Sequence, residues 1–64
     1  MQIKVNGETH VTNTATLADL LAEMEMDGRV ATAVNESFVP AQNRAETKLN
    51  NGDRVEILAP MQGG

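Results

Sequence analysis

The sequence contains no cysteine and almost no aromatic side chains. Without a thiol, the chain cannot form a disulfide, a thiolate metal site or a persulfide of its own, so any sulfur chemistry must use another group. Phe38 is the only aromatic residue, which leaves no set of rings for stacking on bases. Nine acidic against five basic residues give a formal net charge of −4, which repels a phosphate backbone. These absences argue against nucleic acid as a partner.

Long apolar segments are also missing. No stretch approaches the roughly 20 residues that span a bilayer, and the start of the chain lacks the basic and apolar regions of a signal peptide. We therefore expect a cytoplasmic protein without membrane contact. A chain of 64 residues suffices for one domain, and 41% hydrophobic against 22% charged residues is typical of a folded protein.

An alternation of polar and apolar residues predicts a β-hairpin over residues 2–12. Asn6-Gly7 divides the alternation, and Asn-Gly is typical of a two-residue hairpin turn because both residues tolerate positive φ. The alternation places one set of side chains on the buried face: Ile3, Val5, Thr9 and Val11. Lys4 and His10, on the other phase, should face solvent.

One amphipathic helix is predicted from Leu17 to Met26. Thr16 can cap its first turn, and Gly28 can adopt the left-handed conformation that ends helices. Apolar residues recur at spacings of three and four, which puts them on one face: Leu17, Leu20, Leu21 and Met24. Acidic residues lie mostly off that face, and they are either simply solvated or they speed docking on basic partner surfaces: Asp19, Glu23, Glu25 and Asp27.

Further strands are predicted at residues 30–35 and 54–58, the second after a turn at Asn51-Gly52-Asp53. The buried face of the first is left open, because Ala31 and Ala33 compete with Thr32 and Val34. Residues 38–40 are an edge strand or a bend, because Pro40 has no amide hydrogen, and residues 41–50 are an irregular connection. One helix with one apolar stripe must pack on one face of one sheet. The fold class is therefore α+β, in two layers.

The last six residues differ from the rest of the chain. Pro60 interrupts strand pairing, and Gly63-Gly64 carries no side chains, so we expect a domain over residues 1–58 and a flexible tail over 59–64. Two glycines can thread a narrow channel and present an unhindered carboxylate to an activated phosphate. An acyl adenylate formed there could accept a sulfur nucleophile and become a thiocarboxylate. The chain would then be a substrate of other enzymes.

The residues offer little for catalysis by the chain itself. His10 is the only histidine, Ser37 has no base near it in sequence, and no pair of carboxylates stands out. A metal site is no better supported, because the acidic residues lack ligand spacing. Terminal glycines also occur by chance, so a binding module that docks through its surface is the competing interpretation.

Three segments stand out when they are taken together: Val34-Asn35-Glu36-Ser37-Phe38-Val39-Pro40, then Asn51-Gly52-Asp53-Arg54-Val55-Glu56-Ile57-Leu58, and the terminal Gly63-Gly64. In this order they resemble the ThiS family, the bacterial sulfur carriers of thiamine thiazole synthesis. The resemblance spans nearly the whole chain. It implies a β-grasp, ubiquitin-like fold: a mixed sheet of four to five strands with one main helix on one face, and the first and last strands parallel at the centre.

The resemblance also implies a function. Family members are not enzymes: a ThiF-like adenylyltransferase uses ATP to adenylate the terminal glycine, and no cofactor is bound by the carrier itself. Sulfur from cysteine, through a desulfurase or related donor, makes the thiocarboxylate, which a ThiG-like thiazole synthase consumes. On this resemblance Gly64 is the modified residue, Gly63 is its narrow neighbour, and Met61 and Gln62 contact the partner's channel.

The chain departs from the family pattern in one loop. Many relatives have a basic residue directly after Val-Pro, where this chain has Ala41, Gln42 and Asn43 before Arg44, so no specific contact is predicted from this loop. Pro60-Met61 also resembles the tail of the related carrier in molybdopterin synthase. Sulfur transfer for molybdopterin is therefore one alternative function, and conjugation to lysines as a ubiquitin-like modifier is another.

Overall fold

Two hairpins and a final strand build one mixed sheet. The computed structural model describes residues 1–26 and 29–59. Within them the strands are β1 (Gln2–Val5), β2 (Glu8–Val11), β3 (Ala31–Val34), β4 (Ser37–Val39) and β5 (Arg54–Leu58). Helix α1 is Leu17–Glu23, and a 3₁₀ helix covers Ala41–Glu46.

The strand order is β2-β1-β5-β3-β4. β1 and β5 are parallel, with Lys4 opposite Arg54 and Val5 opposite Val55, whereas the remaining neighbours are antiparallel. The first and last strands thus lie side by side inside the sheet. The predicted α+β class and β-grasp arrangement are confirmed.

The core lies between α1 and one face of the sheet. The Thr16 side chain accepts a hydrogen bond from the Asp19 amide, at 3.2 Å, and so caps the helix as predicted. Burial of an aliphatic side chain contributes about 1.5–3 kcal/mol. The buried apolar residues come from both layers and from the segment after the 3₁₀ helix: Ile3, Val5, Leu17, Leu20, Leu21, Val39, Leu49, Val55 and Ile57.

The first hairpin forms as predicted, but the phase predicted for its second strand is wrong. Val11 lies opposite Gln2 and is 71% exposed. His10 lies opposite Ile3, on the side of the sheet that α1 covers. The cause is a polar contact: β2 is an edge strand, and its inward side meets Glu23 of α1 instead of the apolar core. The alternation of apolar residues therefore predicts the wrong buried face for β2.

Helix α1 is shorter than predicted. It ends at Glu23, and Glu25 takes a left-handed conformation with φ 58°. The Glu25 amide donates to the Ala22 carbonyl at 3.1 Å, and the Met26 amide donates to the Leu21 carbonyl at 2.9 Å. This pair of bonds is a Schellman cap in which glutamate replaces the usual glycine. The predicted stop at Gly28 lies outside the described residues.

The segment after β4 is ordered by Arg44. The irregular connection predicted over residues 41–50 is wrong for residues 41–46, which form the 3₁₀ helix. Its Arg44 is only 7% exposed, and Arg44 Nε donates to Thr32 Oγ1 at 3.1 Å. A second guanidinium nitrogen donates to the Val30 carbonyl. Thr32, 2% exposed, therefore marks the buried side of β3, the face that the sequence left open.

Candidate functional site

Strand β5 leads into the C-terminal segment from the centre of the sheet. We call its last two residues, Ile57 and Leu58, the root of that segment. Val55 and Ile57 anchor the strand in the core, at 1% and 5% exposure. Leu58 is its last residue, and the exposed Ala59 follows. The predicted site residues Met61, Gln62, Gly63 and Gly64 lie outside the described residues. The prediction that residues 59–64 form a flexible tail stays a prediction.

Asn6 contacts β5 at that root. Asn6 Nδ2 donates to the Ile57 carbonyl at 3.0 Å, and the Ile57 amide donates to Asn6 Oδ1 at 2.8 Å. Sequence reasoning assigned Asn6 only to the hairpin turn, where its φ of 51° agrees with that role. The contact joins residues 51 positions apart, and no local pattern indicates it.

The face of the sheet away from α1 carries an apolar patch at the root. Leu58 is 66% exposed and lies opposite Ala31, while Phe38 is 68% exposed and lies opposite Ala33. We call these four residues the outer patch. Single exposed apolar residues are common on proteins, whereas contiguous apolar patches mark interaction sites, so the outer patch is a candidate docking surface.

The other end of the same face is charged. Lys4 and Arg54 are neighbours on β1 and β5, Lys4 Nζ donates to Thr9 Oγ1 at 3.1 Å, and Arg54 lies 3.7 Å from Glu36. An open depression of about 380 Å³ is lined by four charged side chains: Lys4, Glu36, Arg54 and Glu56. Because two basic and two acidic side chains line it, the depression has no net charge with which to select an ion.

The single histidine belongs to a contact between the layers. His10 Nε2 lies 3.0 Å from Glu23 Oε2, and the Thr12 hydroxyl donates to Glu23 Oε1 at 3.0 Å. The hydrogen bond with His10, and then that with Thr12, holds the pKa of the Glu23 carboxyl below its ordinary value of 4.5. The predicted exposed His10 is therefore half-buried and ties β2 to α1.

Among the residues that the structure describes, the two candidates for a nucleophile and its base lie far apart. His10 lies on β2 and Ser37 on β4, at opposite edges of the sheet. Across the parts of the chain that the structure describes, no three histidine, aspartate or glutamate side chains group as a metal site requires.

In residues 1–26 and 29–59 no helix is long and apolar enough to cross a membrane.

The acidic helix face is only partly free for docking. Asp19 and Glu25 are exposed, whereas Glu23 is engaged with His10 and Thr12. Asp27 lies outside the described residues. The hypothesis that these charges speed docking stays a prediction, and it now depends chiefly on Asp19 and Glu25.

Comparison with known proteins decides the family. The model of the ThiS family matches residues 2–64. The chain belongs to the ThiS family. The predicted resemblance is thus confirmed, and the match includes the terminal glycine pair.

Two solved structures have the same fold as this ThiS-family chain. A crystal structure of the thiamine biosynthesis protein ThiS from Geobacter metallireducens gives a TM-score of 0.85 at 26% identity, with 100% of both chains covered. A solution NMR structure of a thiamine biosynthesis protein from the same organism gives 0.80 at 26% identity, covering 100% of this chain and 88% of that one.

A larger relative also contains a ThiS-like segment. A thiazole synthase of Paramagnetospirillum magneticum is 36% identical over 66 residues. The match covers 100% of this chain and 20% of that protein. The chain thus spans one fifth of the length of this relative.

Proposed function

We propose that this chain is a sulfur carrier of thiamine biosynthesis and that its reactive group is the carboxylate of Gly64. The observation that carries the proposal is the ThiS-family match, which runs through the final glycine pair. The fold supports it, because β5 is held inside the sheet and leads directly into residues 59–64.

The proposed chemistry takes place in two steps. In the active site of a ThiF-like adenylyltransferase, a Gly64 carboxylate oxygen attacks the α-phosphorus of ATP, and pyrophosphate leaves. Hydrosulfide then attacks the carbonyl carbon, and AMP leaves with the electron pair of the broken C–O bond. The product is the thiocarboxylate. A cysteine desulfurase with a thiol reductant is a suitable source of the hydrosulfide.

The residues before Gly64 suit this chemistry. Gly63 has no Cβ, so a channel built around the last two residues can be narrow and can hold the carboxylate against the phosphate. Gln62 and Met61 would line the same channel. ATP is bound by the activating enzyme, and the carrier needs no cofactor of its own.

The outer patch is the surface that we propose for partner enzymes. Leu58 lies one residue before the tail, so a partner that covers Leu58 and Phe38 also receives residues 59–64. A ThiG-like thiazole synthase is the proposed acceptor of the sulfur. The thiazole synthase of Paramagnetospirillum magneticum supports this pairing, because a ThiS-like segment makes up 20% of it.

Mass spectrometry tests the proposal directly. After incubation with the adenylyltransferase, ATP and hydrosulfide, we expect the chain to gain about 16 Da, the difference between sulfur and oxygen. A variant without Gly64 should give the same circular dichroism spectrum and no gain. An unchanged wild-type mass would instead indicate a binding module, and conjugates with lysine side chains would indicate a modifier.

A growth experiment separates the two sulfur pathways. We expect a strain that lacks this protein to require thiamine, or its thiazole precursor, in minimal medium. Loss of molybdenum-enzyme activity without a thiamine requirement would assign the carrier to molybdopterin synthesis instead.

A further inference from the structure

Asn6 continues the pairing of β5 beyond the point where β1 ends. The last backbone bond between the two strands runs from the Asn6 amide to the Val55 carbonyl, at 2.9 Å. The backbone then turns away at Gly7, which has φ 86°. The Asn6 side chain nevertheless reaches the next position that β1 would have paired, which is Ile57.

The contact uses both polar groups of the Ile57 backbone. The side-chain carboxamide of Asn6 donates to the Ile57 carbonyl and accepts from the Ile57 backbone amide, as a neighbouring strand would. On its other side β5 pairs with β3, where Thr32 is opposite Ile57 and Ala31 is opposite Leu58. β5 is therefore held from both sides up to Ile57, one residue before its end.

From this geometry we propose that Asn6 is a positioning residue for sulfur loading. It fixes the end of β5, and thereby the place and direction from which residues 59–64 leave the domain. This inference rests on the proposed function. Without the Asn6 contact, the end of β5 is held by β3 alone, and a partner enzyme has to order it while drawing in the tail. Ordering a mobile segment on binding reduces affinity.

Asn35 provides a matched control. It also has positive φ, at 50°, and it also bonds β5 through its side chain. Asn35 Oδ1 accepts from the Arg54 amide at 3.0 Å, and its Nδ2 donates to Asp53 Oδ1 at 3.0 Å. These contacts lie at the start of β5, at the opposite end from the tail. Asn35→Gly therefore also removes two side-chain hydrogen bonds, but at the end of β5 away from residues 59–64.

The experiment compares Asn6→Gly with Asn35→Gly in the full chain. Glycine keeps both turns, because it adopts positive φ readily. Amide hydrogen exchange should become faster at Ile57 in Asn6→Gly only, because its bond to Asn6 is lost. With the adenylyltransferase, ATP and hydrosulfide, the KM for the carrier should rise about three- to tenfold in Asn6→Gly relative to Asn35→Gly, with kcat unchanged.

Several results would overturn the positioning role. Equal KM values for the two glycine variants would overturn it. So would an Ile57 amide that stays protected from hydrogen exchange in Asn6→Gly. If Asn6→Gly does not fold, Asn6→Asp tests the positioning role instead. Aspartate tolerates the left-handed conformation but has no donor for the Ile57 carbonyl. The KM of Asn6→Asp should therefore also exceed that of Asn35→Gly. A wild-type chain that takes up no sulfur would overturn the proposed function, and the positioning role with it. Sulfur uptake by wild type with equal KM values overturns the positioning role alone.

Discussion

Replacing Arg44 with lysine should destabilise the fold without affecting sulfur transfer. The Arg44 guanidinium bonds both the Thr32 hydroxyl and the Val30 carbonyl. Lysine carries one nitrogen on a flexible stem, so it cannot reproduce this planar, two-point contact. Because the side chain is buried, a partner enzyme cannot use it as a docking residue in the folded carrier.

The size of the effect follows from the contacts that are lost. A hydrogen bond from a charged group contributes about 1.5–3 kcal/mol, and Arg44→Lys loses at least one. At about 0.05–0.15 kcal/mol per residue, the whole chain is stable by about 3–10 kcal/mol. A loss of about 2 kcal/mol should lower the Tm by about 8–16 °C in a domain of this size.

Thermal unfolding followed by far-UV circular dichroism measures this change. The chain has no tryptophan or tyrosine, so intrinsic fluorescence is not a suitable signal. Arg54→Lys is the control, because the Arg54 side chain is 62% exposed and its ion pair with Glu36 is on the surface. A surface pair of this kind contributes about 0–1 kcal/mol.

Two outcomes would refute the reasoning. If Arg44→Lys lowers the Tm no more than Arg54→Lys, the Arg44 contacts do not stabilise the fold. If Arg44→Lys slows sulfur uptake at a temperature well below its Tm, the residue acts in partner recognition, and the assignment to the fold alone is wrong.

Two further predictions concern the outer patch and the pH dependence of stability. Leu58→Ser should weaken binding to the adenylyltransferase about tenfold or more, whereas Val11→Ser, at a residue as exposed but at the distant edge strand, should not. Equal affinities in a binding titration would argue against the outer patch as the docking surface. Folding lowers the pKa of Glu23, so its contribution to stability is complete above the ordinary value of 4.5 and is lost as the pH falls below it. The difference in Tm between wild type and Glu23→Gln should therefore shrink in acid, and a constant difference between about pH 7 and pH 3 would contradict this.

Local chemistry was sufficient to predict most elements of the fold. Asn6-Gly7 indicated the hairpin because a two-residue turn needs positive φ at both positions, and both residues have it. Thr16 indicated the start of α1, and its side chain accepts the capping bond. The central position of β5 came from the family resemblance, because spacing alone does not show which strands are neighbours.

The errors arose where distant contacts override local preference. His10 faces inward because Glu23 lies 13 residues away in sequence but within hydrogen-bonding distance in space. Glu25 ends the helix although glutamate is a good helix former, and Met24 and Met26 on either side of it pack against the core. The contact between His10 and Glu23 leaves no pattern in the sequence around either residue.

The residues of the candidate site also fall into two groups, those that the sequence identifies and those that only the structure identifies. The terminal glycines could be identified from the sequence, because the proposed chemistry depends only on their having no side chains. The Asn6 contact and the outer patch were not visible, because both depend on which strands adjoin β5. The alternation of residues 54–58 implies that Leu58 points away from the core, but only the register shows that it lies beside Ala31.

The central place of β5 determines how the domain responds to mechanical load. If a partner draws the last residues into a channel, as proposed, a pull along the axis of β5 acts on the ladders to β1 and β3, which lie on either side of that axis. Their bonds run across the strands, so the pull loads them in shear and together, instead of opening them one after another. We therefore expect the rest of the domain to stay folded while a partner holds its C-terminal end and releases it again.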